Sequence, residues 1–244
     1  WTMRMMVMRE AVAPVIFDRV TDKLKEIFDV DTQQQRLDSM HIFSNMQHLG
    51  RVGLIARTIR KFLVNLKRRN REAFEALEEE VRERYMTRNG DAVFALVKPS
   101  EAERTLQTLG QDLFELIQRF KADDKIQQMN SYGLLARVFS EQFLIEADES
   151  GPHIVINTKV PPDSLQNPSD PDAGYDAHKG KGYQVQVMEN YTPDKKENKD
   201  SLNLITYVEA QPAHEHDTHT VKKALKKTQQ EGRSPSRLLA DKLY

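Results

Sequence analysis

Residues 36–42, RLDSMHI, set an aspartate among apolar residues, and residues 240–244, ADKLY, do the same at the end of the sequence. Both stretches read as β-strand, with Leu37, Ile42 and Phe43 as the apolar members of the first, a strand over roughly 34–43. A half-buried strand tolerates an ionised carboxylate only when something compensates the charge. Asp38 and Asp241 therefore pose a choice. Each is a strand-end or turn residue bonding local backbone, or the two share a divalent cation because their strands lie side by side.

Working outward from the first strand, helical signal lies on both sides. Over 11–29, Val15, Ile16, Val20, Leu24, Ile27 and Phe28 recur at helical spacing, and Pro14 suits a first turn. From 51 to 88, Ile55, Ile59, Phe62, Leu63 and Leu66 make one apolar face. Phe74, Leu77, Val81 and Tyr85 continue it in a second helix or after a bend, and Asn89-Gly90 is a stop signal. Ser100-Glu-Ala-Glu103 has the form of a capping box opening a helix to about Arg119. Asn130 or Ser131 caps a further helix whose apolar residues run from Leu134 to Ile145.

Sheet signal resumes with HIVINTKV from His153, and the Pro, Asp and Asn-rich stretch 161–176 is loop. Strands over 182–191 and 202–211 follow, joined by a lysine-rich loop. Asp217 or Thr218 caps a helix ending near Glu231, Gly232 stops it, and 236–241 is a last short strand. No internal repeat is present. The expected class is α/β (α+β), in the order strand, helical block, strand, strand, helix, strand.

Composition bounds the function. With 30% charged and 39% apolar residues in 244, the chain belongs with ordinary globular proteins large enough to bury a core. No run approaches the ~18 apolar residues needed to cross a bilayer, so no membrane partner is expected. WTMRMMVMRE at the start lacks an apolar h-region and a small-residue cleavage site, and a first residue of Trp is what a piece of a longer product would show. The absence of cysteine excludes disulfides, thiol catalysis and Cys-ligated zinc, and fits a cytoplasmic setting. Net charge is −1, but the charge is segregated: no acid occurs between Asp38 and Glu72, while Arg51, Arg57, Arg60, Lys61, Lys67, Arg68, Arg69 and Arg71 fall in that interval. The sign then reverses through Glu72, Glu75, Glu78, Glu79, Glu80 and Glu83.

The stretches RLDSMHIFSNMQHLGRVGLI, TIRKFLVNLKR, SDPDAGYDAHKGKGYQVQV, AHEHDTH and LLADKLY, in that order, resemble a bacterial insertion-sequence transposase of the DDE class. The resemblance implies a ribonuclease H-like mixed sheet carrying one acid on its first strand and another at the end of its fourth, with a large all-helical insertion after the first. It divides the chain into a helical remnant over 1–30, the first catalytic strand over 31–50, the insertion over 51–150, and the rest of a truncated core over 151–244. Asp38 matches the first acid and Asp241 the second. Two departures stand out. Met40 occupies a position that usually carries a small hydroxyl residue. The helix that brings the third acid, a Tyr-x2-Arg-x3-Glu-x6-Lys pattern, has no match, since Tyr85 and Arg88 are followed by Ala92.

Such a site implies DNA cleavage and strand transfer assisted by two Mg2+ or Mn2+ ions ~3.5–4 Å apart. With Asp38 and Asp241 as the only matching ligands, the chain is expected to be inactive as it stands, unless an internal acid such as Glu209 completes the set. The implied partner is double-stranded DNA at transposon ends, in a bacterial cytoplasm at the nucleoid, with a homodimer possible. Read from residues alone, the basic run 51–71 is either a phosphate-contacting helix face or a solvated face paired with the acids after it. His178, Lys179 and Lys181 lie in a Gly-bounded turn that is either an ordinary hairpin or a phosphate contact beside the active site. His214, His216, Asp217 and His219 are read as a helix start rather than a zinc site, and Asp170, Asp172 and Asp176 as turn residues rather than a calcium loop. The rival functions are an inert DNA-binding or oligomerising remnant and a helical scaffold unrelated to DNA.

Overall fold

The computed structural model describes residues 12–44, 49–86, 97–148, 151–193 and 202–241. Asn89-Gly90, Ala92, Arg88 and most of the lysine-rich loop lie outside them. The chain divides into two compact units, one of Trp1–Ile42 with Gly182–Tyr244 and one of Phe43–Lys181.

The first unit holds helix α1 (Val12–Ile27), strand β1 (Gln34–Phe43), strand β5 (Gly180–Asn190), strand β6 (Ile205–Pro212), helix α8 (Thr218–Gln230) and strand β7 (Arg237–Ala240). Its strands lie in the order β6-β5-β1-β7. The β5–β6 pair is antiparallel with Val187 opposite Val208, and β1 runs parallel to β7 with Leu37 opposite Ala240. Tyr191 N–H donates to Gln34 at one end of β1 and Ser44 N–H to Lys181 at the other, so β5 is antiparallel to β1 and Val187 stands across from Asp38.

Helix α8 covers one face of this sheet. Ala224 packs there on Leu37, Met188 and Tyr207, flanked by Val221 and Leu238. So small an apolar core leaves much of the covered face to polar groups that satisfy one another. Gln35 is fully buried; its amide donates to the carbonyls of Thr32 (2.8 Å) and Arg233 (2.6 Å) and accepts from Thr206 Oγ1 (2.5 Å). The Gln-Val-Gln-Val alternation of β5 is the reverse of the usual arrangement: Gln184 and Gln186 are buried under α8, whereas Val185 and Val187 face the open side.

Helix α1 also departs from expectation. Its apolar residues do recur at helical spacing, but Val15, Ile16, Val20, Ile27 and Phe28 are exposed. The helix is held by its polar face. Asp18 accepts from Lys227 Nζ (2.6 Å) and Arg233 Nη2 (2.8 Å), Thr21 Oγ1 donates to Ile205, and Lys25 Nζ donates to Gly232. Arg233 is 1% exposed and Asp18 15%, so their pair is the buried part of this cluster, while Lys227 stays 38% exposed.

The second unit is built on α2 (Arg51–Arg69), α3 (Arg71–Glu75), α4 (Glu79–Met86), α5 (Ala102–Phe120), α6 (Asp124–Gln127) and α7 (Asn130–Gln142). Ile55, Ile59, Phe62, Leu63 and Leu66 of α2 are fully buried against Leu109 and Leu113 of α5 and Leu135 and Val138 of α7. The bend between α2 and α3 is at Asn70, whose side chain accepts from Ala73 N–H. This unit is not all helix. Residues 143–145, expected to end α7, instead begin strand β2 (Phe143–Asp148), which pairs antiparallel with β3 (Gly151–Ile156) in a separate two-stranded sheet. Phe143 turns inward from β2 and stacks on Phe139 (centroids 5.8 Å) over Gly110, which leaves no room for a Cβ. β-branched and aromatic residues here override the helical spacing. A short strand, β4 (Gly174–Asp176), turns back onto the start of β5.

The expected caps are not formed. A 3-10 turn at Pro99–Glu101 precedes α5, and no side chain caps its first turn. Met129 precedes α7 without a side-chain cap, and Asp217 does stand at the N-cap position of α8 but holds helical dihedrals and makes no side-chain cap bond.

Candidate functional site

Asp38 follows Leu37 within β1, and Asp241 follows Ala240, where β7 ends, so each stands one residue beyond the last paired position. Neighbouring strands lie about 4.8 Å apart, which sets the spacing of the last paired residues, Leu37 and Ala240, from which both aspartates lead. Leu37 and Leu238 point to the covered face, which sends Asp38 and Asp241 to the open one. Both are exposed, not half-buried. Their charge therefore needs no compensation by the fold, and the desolvation cost that drew attention to them in the sequence is absent.

The surroundings of the pair are apolar along the strands. Met40 is 54% exposed and Ile42 48%, Val208 on β6 is 46% exposed, and Leu239 on β7 lies between Arg237 and Asp241. Arg36, two residues before Asp38 on the same face, does not neutralise it. Its guanidinium bonds Glu189 (2.5 Å) and lies over the Tyr191 ring at 5.7 Å. Asp38 itself accepts from Ser39 N–H at 2.8 Å.

Behind this pair, on the covered face, Asp217 closes a polar cluster. Its carboxylate accepts from the amides of Gln184 and Gln186 and from Ser39 Oγ at 3.4 Å. The buried glutamines were not legible as anything but outward strand residues, since alternation alone assigns Val to the core. Nearby, His214 Nε2 and His219 Nδ1 are each 3.9 Å from Glu215.

Glu209 cannot complete the Asp38 site. It faces the covered side, pairs across the sheet with Gln186, and accepts from Tyr207 Oη (2.7 Å) and Lys223 Nζ (3.0 Å). Among the described residues no group of three or more His, Asp or Glu could hold a metal. Asp170 accepts from Ser44 Oγ (2.6 Å), and Asp176 accepts from the N–H groups of Lys179 and His178, which hold its carboxyl below the usual range. These are turn roles.

The basic candidates belong to the other unit, and several act as internal staples. Arg51 Nη2 donates to the carbonyls of Gln142 (2.6 Å) and Asn157 (2.7 Å), and burial pulls its pKa down. Arg60 donates to Tyr85 O, Lys61 to Pro168 O, and Lys181 to Leu49 O, with burial also lowering Lys181. Arg57 is half-buried and engaged within the fold. What remains outward is Lys67, whose ammonium covers the Phe74 ring at 5.4 Å, together with Arg68, Arg69 and Lys179.

Comparison with protein-family models, curated proteins and solved structures finds no match. No helix among the described residues is long and apolar enough to cross a membrane.

Proposed function

We propose that this chain carries the ribonuclease H-like sheet of a DDE transposase, a class that cleaves and joins the phosphodiester backbone of double-stranded DNA, and that as it stands it binds DNA without cleaving it. The observation that supports this most is the parallel register of Leu37 with Ala240, which leaves Asp38 and Asp241 each one residue beyond that pair. The strand order adds to it. Setting aside residues 43–181, the strands run third, second, first, fourth, with the first pair antiparallel, the next antiparallel and the last parallel.

Mg2+ or Mn2+ suits the pair in part. Carboxylate oxygens are hard donors fitting such ions, but a two-ion centre needs more ligands than the described residues bring together. A bound divalent ion would supply charge neutralisation at a phosphate and a more acidic water. The chain's own residues present one carboxylate from β1 and one just past the end of β7, with Ser39 N–H bonding one oxygen of Asp38 and Glu189 pairing Arg36. DNA phosphates are met by Lys67, Arg68 and Arg69 at the end of α2, in a sequence-tolerant and salt-sensitive manner. A bacterial cytoplasmic location at the nucleoid, and a homodimer bringing two DNA ends together, belong to the same proposal.

The test is cation binding followed by cleavage. Mn2+ at ten times its Kd should stabilise the chain by about 1.4 kcal/mol, and Asp38→Asn should remove that gain. With two ligands only, supercoiled plasmid should remain un-nicked in Mg2+ or Mn2+. A thermal shift that persists in Asp38→Asn would show that the pair is not the cation site.

A further inference from the structure

The second unit holds a cavity of about 230 Å³ at the start of α2, with Leu54 and Leu165 on its apolar side. That is below the roughly 300–1,000 Å³ of pockets for drug-sized ligands, so its occupant is small. Arg51 and Lys181 both line the cavity, and no acid among the described residues does. Their bonds run to the backbone carbonyls of Gln142, Asn157 and Leu49, which hold the side chains but leave both charges uncancelled. Glu141, which accepts from Leu165 N–H at 2.8 Å, gives its other oxygen to Arg137 (2.8 Å). The first turn of α2 adds the positive end of a 19-residue helix, and no side chain caps it.

Gln142 lines the same cavity from the end of α7. It is 3% exposed, and its Oε1 has no hydrogen-bond partner among the described residues. A buried acceptor without a donor is costly, so an occupant that brings a hydrogen is favoured over one that does not. Ser164, also buried and lining the cavity, accepts from Gln166 Nε2 at 3.3 Å and keeps its own hydrogen to donate.

We propose that this cavity binds inorganic phosphate in its hydrogen phosphate form. Two cations, an uncapped helix N-terminus and a hydroxyl donor select an anion. The Gln142 acceptor selects an anion that still carries a proton. Hydrogen phosphate keeps its P–OH at neutral and mildly alkaline pH. Sulfate has lost its proton there, the phosphodiesters of DNA have none to give, and a phosphomonoester loses its last at about pH 6. The site thus goes beyond the DNA contacts assigned to Lys67, Arg68 and Arg69, and either can fail without the other.

The test is calorimetric titration of the full chain at pH 8 with sodium phosphate, sodium sulfate and methyl phosphate at matched ionic strength. Phosphate should bind saturably and at least tenfold tighter than either of the others. Lys181→Gln, at a partly exposed position, should weaken phosphate at least tenfold in a chain with wild-type circular dichroism. Gln142→Leu keeps the volume and removes the acceptor, so phosphate should fall to the level of sulfate while sulfate is unchanged. Should Gln142→Leu fail to fold, the anion series on wild type and Lys181→Gln decide the matter. Absence of saturable phosphate binding, equal binding of sulfate, affinity unaltered by Lys181→Gln, or displacement of phosphate by a short DNA duplex would each overturn the proposal.

Discussion

Leu37 on β1 stands opposite Ala240 on β7 in a parallel register, and this pairing makes Asp38 and Asp241 neighbours although 202 residues lie between them in sequence. Like charges opposite one another on adjacent strands repel by up to about 1 kcal/mol. Without a divalent cation, Asp38→Asn should therefore leave the thermal midpoint unchanged or slightly raised. With Mn2+ present the order reverses, and wild type becomes the more stable. Calorimetry of both proteins with and without metal reads the sign directly; a marked loss of stability in metal-free Asp38→Asn would mean that the carboxylate has a folding role instead.

The clamp at Asp18 predicts a pH-dependent stability. Burial alone would raise the Asp18 pKa, but the bonds from Lys227 and Arg233 outweigh it and hold the carboxyl below its usual range. A depressed folded-state pKa contributes stability above the unfolded value, near 3.9, and loses it as pH falls through the folded one. Asp18→Asn should thus cost about 1–3 kcal/mol at pH 7, since it removes the direct bond to the buried Arg233 and leaves it only the longer contacts to Asp22 (3.6 Å) and Glu231 (3.8 Å). In urea titrations at pH 3 or below, the gap between variant and wild type should shrink; a gap independent of pH would show that packing, not charge, is lost.

Basic residues of α2 should separate into two behaviours. Arg68→Ala with Arg69→Ala should leave stability within about 0.5 kcal/mol and reduce the slope of log K against log[salt] for DNA by about 1.8. Arg51→Ala should do the opposite, unpairing the carbonyls of Gln142 and Asn157 and costing about 1–3 kcal/mol, with the slope unaltered. Should Arg51→Ala alone flatten the salt dependence, its guanidinium reaches DNA after all.

Gly110→Ala in α5 is expected to destabilise despite a gain in helix propensity of about 1 kcal/mol. Its Cβ would lie 2.6 Å from the Phe143 ring, which is buried and stacked on Phe139. Overpacking of this kind typically costs about 1–3 kcal/mol. Gly110→Ala combined with Phe143→Leu should recover part of the loss, a coupling measurable in a double-mutant cycle. Additive effects would place the strain elsewhere.

Much of the element order was legible because local spacing decides it. The strand at 34–43, the apolar face of α2 and the stop at Gly232, whose φ is +65°, follow from alternation, helical periodicity and a glycine able to take a left-handed conformation. The sequence also marked Asp38 and Asp241 as a pair to be tested. It did not carry their exposure, because burial depends on which face α8 covers, and that is settled by contacts between segments distant in sequence. The same long-range choice turned Gln184 and Gln186 inward to Asp217, held α1 by Asp18 and not by its apolar stripe, and drew Phe143 out of α7 into a strand over Gly110. It also spent Arg51, Arg60, Lys61 and Lys181 on backbone carbonyls. A basic run in sequence reports charge, while only tertiary structure decides which of those charges still face water, since a long side chain goes wherever an unpaired carbonyl would otherwise be buried.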